Sequence, residues 1–218
     1  MNNAMLIVNP NSGKKEGRVL SERVAAHLGE HFSSVDVRLS SCAADVEAWA
    51  REAREQEYDA LFVAGGDGTV GLSFHGLFDG ACESSRLPAF GLIPGGTGNG
   101  LARTLGVAPD ALRAVESYDF SETTLLDVGL VNGRPFAYTV TGGTLPEGIR
   151  KVSPELKSRY GFLAYVASTI LRMGDGEHHA LRIVVDGEER KEDISSFSAF
   201  SANALAGTRQ AWPTGRFI

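Results

Sequence analysis

Short apolar runs alternate with amphipathic stretches through the first half of the chain. "AMLIV" (4–8) is unbroken by polar residues and stops at Asn9-Pro10. From Lys15 to about His31, Leu20, Val24 and Leu28 share one helical face. "VDVRLS" (35–40) alternates as a strand does, and Val46, Trp49, Ala50 and Ala53 follow the i, i+3, i+4, i+7 rule of a helix. "DALFVA" (59–64) has the continuous apolar character of a strand buried on both faces. Val70, Phe74, Leu77 and Phe78 mark the next helix, and "AFGLIP" (89–94) the next strand. A helix is predicted from Pro109 to Ser117, with Pro109 in its first turn. Strand and helix in strict alternation predict parallel strands joined by crossover helices, with ligands held at the carboxyl ends of the strands.

The pattern changes near residue 124. "TLLDVGLVNGRPFAYTV" reads as two strands around Asn132-Gly133. Ser153-Pro154-Glu155 opens a helix running to about Met173, and a second hairpin turns at Asp186-Gly187. The expected architecture is an N-terminal α/β domain over 1–123 followed by a partial β-rich, sandwich-type domain over 124–218.

The loops after the strands carry the chemistry: "NPNSGKK", "SSCAAD", "GGDGTVG" and "PGGTGNG". Glycine lets backbone amides approach a phosphate closely, and a helix starting just beyond aims its positive end at that phosphate. In "GGDGTVG", Gly66, Gly68 and Gly71 match the dinucleotide spacing formally. The acid expected some twenty residues on is missing, because that window reads "GLIP", and no Gly-Lys-Ser/Thr follows for a P-loop. Asp67 is open to two readings. It caps the following helix as turn aspartates do, or it lies beside phosphate, where it must bind a metal or take a proton. Thr69 adds a hydroxyl. Thr97 and Asn99 are the polar groups of "PGGTGNG", with Arg103 on the helix beyond. Asn9 and Ser12 can bond phosphate or ribose, and Lys14 adds charge. Together these loops describe a nucleotide phosphate site without a Walker motif.

Composition narrows the field. The chain is 43% hydrophobic and 22% charged with a net charge of −6, so a core can form and no basic block invites nucleic acid. No apolar run is long enough to cross a bilayer, and "MNNAMLIVNP" lacks the flanks of a signal peptide. Cys42 and Cys82 show no metal or redox spacing and read as reduced thiols, which places the chain in the cytoplasm. The five histidines (27, 31, 75, 178, 179) show no ligand spacing, and His178-His179 reads as a solvated loop. Ser12 and Ser40 lack His and Asp partners, which argues against a serine hydrolase.

In this order, "NPNSGK", "GGDGTVG", "IPGGTGNGLARTLG" and "ELKSRYGFLAYV" resemble the diacylglycerol kinase catalytic-domain family, which includes sphingosine kinases and bacterial lipid kinases. The resemblance covers roughly residues 5 to 203. It implies a fold shared with NAD kinases and a cleft for ATP between an α/β domain and a β-sandwich. It also implies Mg²⁺-dependent transfer of the γ-phosphate to a lipid hydroxyl, diacylglycerol or a sphingoid base, at a membrane surface. Carried over by position, Asn9, Pro10, Asn11, Ser12 and Gly13 contact phosphate or ribose, and Ser40 takes the place of a nucleotide-contacting threonine. Gly66, Asp67, Gly68 and Thr69 form the central phosphate loop, and Thr97 and Asn99 line its other side. Asp67 orients Mg²⁺ and phosphate or accepts the proton of the attacking hydroxyl.

Three departures bear on activity. Gly71 and Leu72 stand where the family commonly has Asn-Glu, and Gly100 where many members have Asp. The family continues beyond this length to a late Asp-Gly-Glu segment, whereas "DGE" at 186–188 is an earlier hairpin turn. The tail "GTRQAWPTGRFI" does not read like that continuation, so a truncated or frameshifted chain is expected, with open strand edges that favour oligomerisation. The alternative to a lipid kinase is a nucleotide-binding remnant without turnover. NAD kinase shares the Gly-Gly-Asp-Gly-Thr loop but not the "GTGN" loop followed by "LAR".

Overall fold

The computed structural model describes residues 2–12, 17–81, 85–143, 178–185, 187–201, 204–205 and 208–209. The expected helix at 153–173, the "ELKSRYGFLAYV" stretch, Gly13, Lys14, Cys82 and Asp186 lie outside the described residues.

The first half forms the predicted alternation. Strands β1 (Asn3–Val8), β2 (Ser34–Leu39), β3 (Ala60–Gly65) and β4 (Ala89–Pro94) alternate with helices α1 (Gly17–Leu28), α2 (Ala43–Glu55) and α3 (Asp67–Phe78). Two short helices follow β4, α4 (Gly100–Thr104) and α5 (Ala111–Glu116). The four strands form one parallel sheet in the order β2-β1-β3-β4.

Both faces of the sheet are covered, which explains why β1 and β3 are apolar throughout. Successive strand residues point to opposite faces. Met5, Ile7, Leu61 and Val63 pack with Val46, Ala50 and Ala53 of α2 and Phe74 and Leu77 of α3. Leu6, Val8, Phe62 and Ile93 pack with Val24 and Leu28 of α1 and Ala111 and Val115 of α5. The result is a three-layer α/β/α unit.

Helices α2 and α3 meet at a position only glycine can fill. A Cβ on Gly76 would lie 2.1 Å from the Glu47 carbonyl oxygen and 3.0 Å from the Ala50 Cβ. Arg54 adds a polar tie, donating from Nη1 to the carbonyls of Leu77 (2.8 Å) and Asp79 (2.7 Å) at the end of α3.

Strand β4 lies at the sheet edge, where unpaired backbone groups invite a further strand. The Tyr118 hydroxyl covers one such position. It donates to the Leu92 carbonyl and accepts from the Leu92 N–H at 2.9 Å. Burial pushes this phenol up to about 12.

The start of α5 differs from the sequence reading. Asp110, not Pro109, sets the boundary, because its carboxylate accepts from the N–H groups of Leu112 and Arg113. Pro109 therefore precedes the cap instead of lying in the first turn.

Beyond residue 124 the first strand is shorter than the apolar pattern suggested. β5 (Gly129–Val131) and β6 (Arg134–Phe136) form the hairpin, with Asn132 at φ 51° and Gly133 at φ 75°. Two left-handed residues are what the two-residue turn requires. Residues 124–128 alternate without a ladder: Leu125 is fully exposed, while Leu126 and Val128 pack on the core.

Contacts divide the chain into two compact units, Thr139–Phe200 and the remainder. In the second unit, β7 (Thr139–Gly143) pairs antiparallel with β10 (Ser196–Phe200), and β8 (His179–Val185) with β9 (Glu188–Ile194). Gly187, at φ 81°, turns the β8–β9 hairpin. His179 opens β8 and is thus a strand residue, not a loop one, although it is exposed as expected. In the first unit, β11 (Ala204–Leu205) pairs with β12 (Thr208–Arg209).

Two outcomes follow from this packing. Gly76→Ala is expected to destabilise the protein by about 1–3 kcal/mol in chemical denaturation, because a backbone clash outweighs the roughly 1 kcal/mol that alanine gains in a helix. Tyr118→Phe is expected to destabilise by about 1–3 kcal/mol by leaving Leu92 without a partner. The phenol holds its proton more tightly in the folded chain. Its contribution is therefore full below pH 10 and falls as pH rises from 10 toward 12, a decline the phenylalanine variant should lack.

Candidate functional site

The sheet order places the site. The chain leaves β1 for β2 on one side, then crosses back to β3 on the other. Such a reversal opens a crevice at the carboxyl ends of β1 and β3. The turns after these strands, and after β4 beside them, are the three glycine- and asparagine-rich loops.

Side chains hold the first two turns together. Asn9 donates from Nδ2 to the Thr69 hydroxyl at 3.0 Å, while its Oδ1 accepts from the Asn11 N–H at 3.0 Å. Ser12 closes the same turn, its hydroxyl donating to the Asn9 carbonyl at 2.8 Å. Pro10 is half-buried and Asn11 exposed. Thr69 is buried, packed so closely on Gly65 that a Cβ there would lie 2.7 Å from its own Cβ.

The second and third turns touch backbone to backbone. Pairing of β3 with β4 runs on into the turns, with the Gly95 N–H donating to the Gly65 carbonyl at 2.9 Å. A Cβ on Gly96 would lie 2.6 Å from the Gly66 Cα. One on Gly95 would lie 3.0 Å from the Ser12 hydroxyl, which brings the first turn against the third. Asn99 locks the third turn, accepting from the Gly96 N–H at 2.9 Å and donating to the Gly96 carbonyl at 2.8 Å. It does so at φ 49°, a left-handed conformation that asparagine tolerates.

Asp67 is not the cap of α3. The N-cap of α3 is Gly66, which has no side chain to offer, and Asp67 is the first helical residue. Its carboxylate reaches sideways instead, Oδ1 accepting from the Leu101 N–H of α4 at 3.3 Å. The carboxylate therefore joins α3 to the start of α4 while staying exposed. Gly68 and Thr97 are exposed beside it. Between the turns lies a shallow, open notch lined by Gly65, Gly66, Asp67 and Asn99 with Val70, Leu92 and Leu101 behind.

The predicted residues divide accordingly. Asn9, Ser12, Gly66, Asp67, Thr69 and Asn99 come together. Ser40 stands next to Asn9 but is buried, its hydroxyl donating to the Val8 carbonyl at 3.2 Å. Sequence reasoning passed over Gly65, Gly95 and Gly96, which the close approach of the loops requires. The two Gly-Gly doublets were the available signal. Gly100 also gains a reason: the Tyr138 ring lies where a Cβ would be, 2.3 Å from it.

The first turn of α3 fits a phosphate. Its N–H groups have no side-chain cap, and a helix start offers such donors with a favourable dipole. Asp67 fits Mg²⁺ in kind, since that ion is bound by one or two carboxylates together with substrate phosphates.

Known proteins resemble this chain in sequence and in fold. Residues 3–131 match the diacylglycerol kinase catalytic domain. A relative from Streptococcus pneumoniae is 36% identical over 170 residues, 78% of this chain, and the chain spans only 56% of that protein's length. The diacylglycerol kinase of Bacillus subtilis is 29% identical over 98% of this chain and 69% of its own. The crystal structure of a diacylglycerol kinase from Bacillus anthracis superposes with a TM-score of 0.73 at 24% identity, covering 96% of this chain and 67% of that one. The chain belongs to the diacylglycerol kinase catalytic-domain family.

Proposed function

We propose that this chain carries the nucleotide-binding half of an ATP-dependent lipid kinase, with residues 1–123 as the nucleotide-binding domain and 124–218 as part of a second. The reaction is transfer of the γ-phosphate to the hydroxyl of diacylglycerol or a sphingoid base, at the cytoplasmic face of a membrane. Among the described residues no helix is long and apolar enough to cross one. The observation that carries the reading is the interlock of three strand-end turns at the reversal of the sheet, with the exposed Asp67 carboxylate beside them.

Each residue then has a task. Backbone N–H groups at the start of α3 hold phosphate oxygens without needing cations. Asn9 and Thr69 fix the spacing of the first two turns, and Asn99 fixes the third. Asp67 binds Mg²⁺ or takes the proton of the lipid hydroxyl. Bound Mg²⁺ would neutralise charge developing on the transferred phosphoryl group. Positioning and charge stabilisation dominate such reactions, so rigid turns suit them.

A remnant that binds nucleotide without turnover is the second reading. Leu72 favours it, because at a position where the family commonly carries an acid this side chain packs on the apolar core.

Transfer of label from γ-labelled ATP to mixed diacylglycerol and sphingosine micelles separates the two. Lipid-dependent transfer supports the kinase; ATP binding without transfer supports the remnant. Label on NAD⁺ instead would turn the reading to an NAD kinase. Asp67→Asn is expected to lower lipid transfer by roughly 100-fold or more while nucleotide binding persists. Gly96→Ala pushes the second and third turns apart and is expected to weaken nucleotide binding by roughly 10- to 100-fold in calorimetric titration.

A further inference from the structure

The C-terminal end of α1 gathers side chains that the nucleotide site does not use. Hydrogen bonds continue past Leu28: Gly29 N–H still reaches four residues back to Ala25 (2.9 Å), and then Glu30 to His27 (3.1 Å) and His31 to Leu28 (3.0 Å) tighten to three. Residues 27 and 31 therefore lie one turn apart on the same side of the chain. One ligand atom from each of His27, Glu30 and His31 lies within 4.8 Å of the other two. His27 Nδ1 is 3.8 Å from Glu30 Oε2, and the two imidazole centroids are 5.3 Å apart. The His31 ring rests against Phe120 at 4.3 Å, which limits its orientation. This corrects the expectation that the histidines show no ligand spacing: His27 and His31 stand at i and i+4, the helical spacing that sets two imidazoles on one metal.

We propose that His27, Glu30 and His31 form a site for a divalent transition metal of the zinc class. Two imidazole nitrogens and one carboxylate oxygen bind the ion, and water completes its shell. Imidazole donors favour Zn²⁺, Ni²⁺ and Cu²⁺ over Mg²⁺, which takes oxygen ligands and keeps its water. Bonds of about 2.0–2.2 Å require the donor atoms to close by roughly 1 Å. Glu30, with 72% of its side chain exposed, is free to make that move.

The site is separate from the phosphate turns. In a parallel sheet, α1 ends where β2 begins, at the amino edge of the strands. The glycine turns lie at the carboxyl edge, about 20 Å away along six-residue strands. The ion here steadies the junction of α1, the turn into β2 and the segment around Phe120. A ligand bound only by the folded state raises stability by mass action.

Calorimetric titration of the full chain with Zn²⁺ in excess Mg²⁺, together with melting curves, tests the proposal. The expected result is one Zn²⁺ bound and a raised melting midpoint, both lost in the His27→Gln/His31→Gln double variant. Both should persist in His178→Gln/His179→Gln, which removes the other neighbouring histidine pair. Glu30→Gln, an exposed and conservative change, should weaken binding by roughly tenfold or more. Zn²⁺ binding unchanged in the double variant or in Glu30→Gln, or absent from the parent chain, would overturn the site. If the double variant fails to fold, Glu30→Gln alone decides.

Discussion

Two turns that touch without side chains between them set the geometry on which the rest depends. Gly66 and Gly96 approach so closely that one extra carbon would strike backbone. Parallel strands are spaced about 4.8 Å apart, and turns that leave them normally splay to make room for side chains. Here the ladder persists into the glycines through the Gly95–Gly65 hydrogen bond. Both helix starts are thereby brought to the same edge, where the Asp67 carboxylate of one accepts from the Leu101 N–H of the other. The acid between them is tolerable because it sits at a helix start, where negative charge is favoured.

Much of this was legible in the sequence. The alternation of apolar runs and helical faces yielded every strand and helix of the three-layer unit, because burial on both faces leaves strands such as β1 and β3 uniformly apolar. The glycine turns were legible for a related reason: few residues but glycine and asparagine suit such close turns. What could not be read was which loop touches which. Asn9 and Thr69 are 60 residues apart, and only the sheet order makes them neighbours. A local cap was one of two readings of Asp67, and its carboxylate instead meets Leu101 of a later helix.

Where pattern misled, a specific competitor won. Apolar residues at 124–128 suggested a strand, but alternation records only which side faces the core, and a ladder also needs a partner backbone. At α5 the fixed dihedral of Pro109 suggested a start, and the Asp110 carboxylate moved it by satisfying two backbone donors. Gly100 looked like the loss of an acid. In the structure the Tyr138 ring fills the space that any side chain there would need.

The seal that Tyr118 places on β4 has a consequence for biogenesis. Strand β4 leaves the ribosome before its cover does, since 26 residues separate Leu92 from Tyr118. At usual elongation speeds the outer rim of the sheet stays open for roughly one to five seconds. Arrival of the phenol occupies the Leu92 position of that rim and shortens the stretch on which a foreign strand can pair.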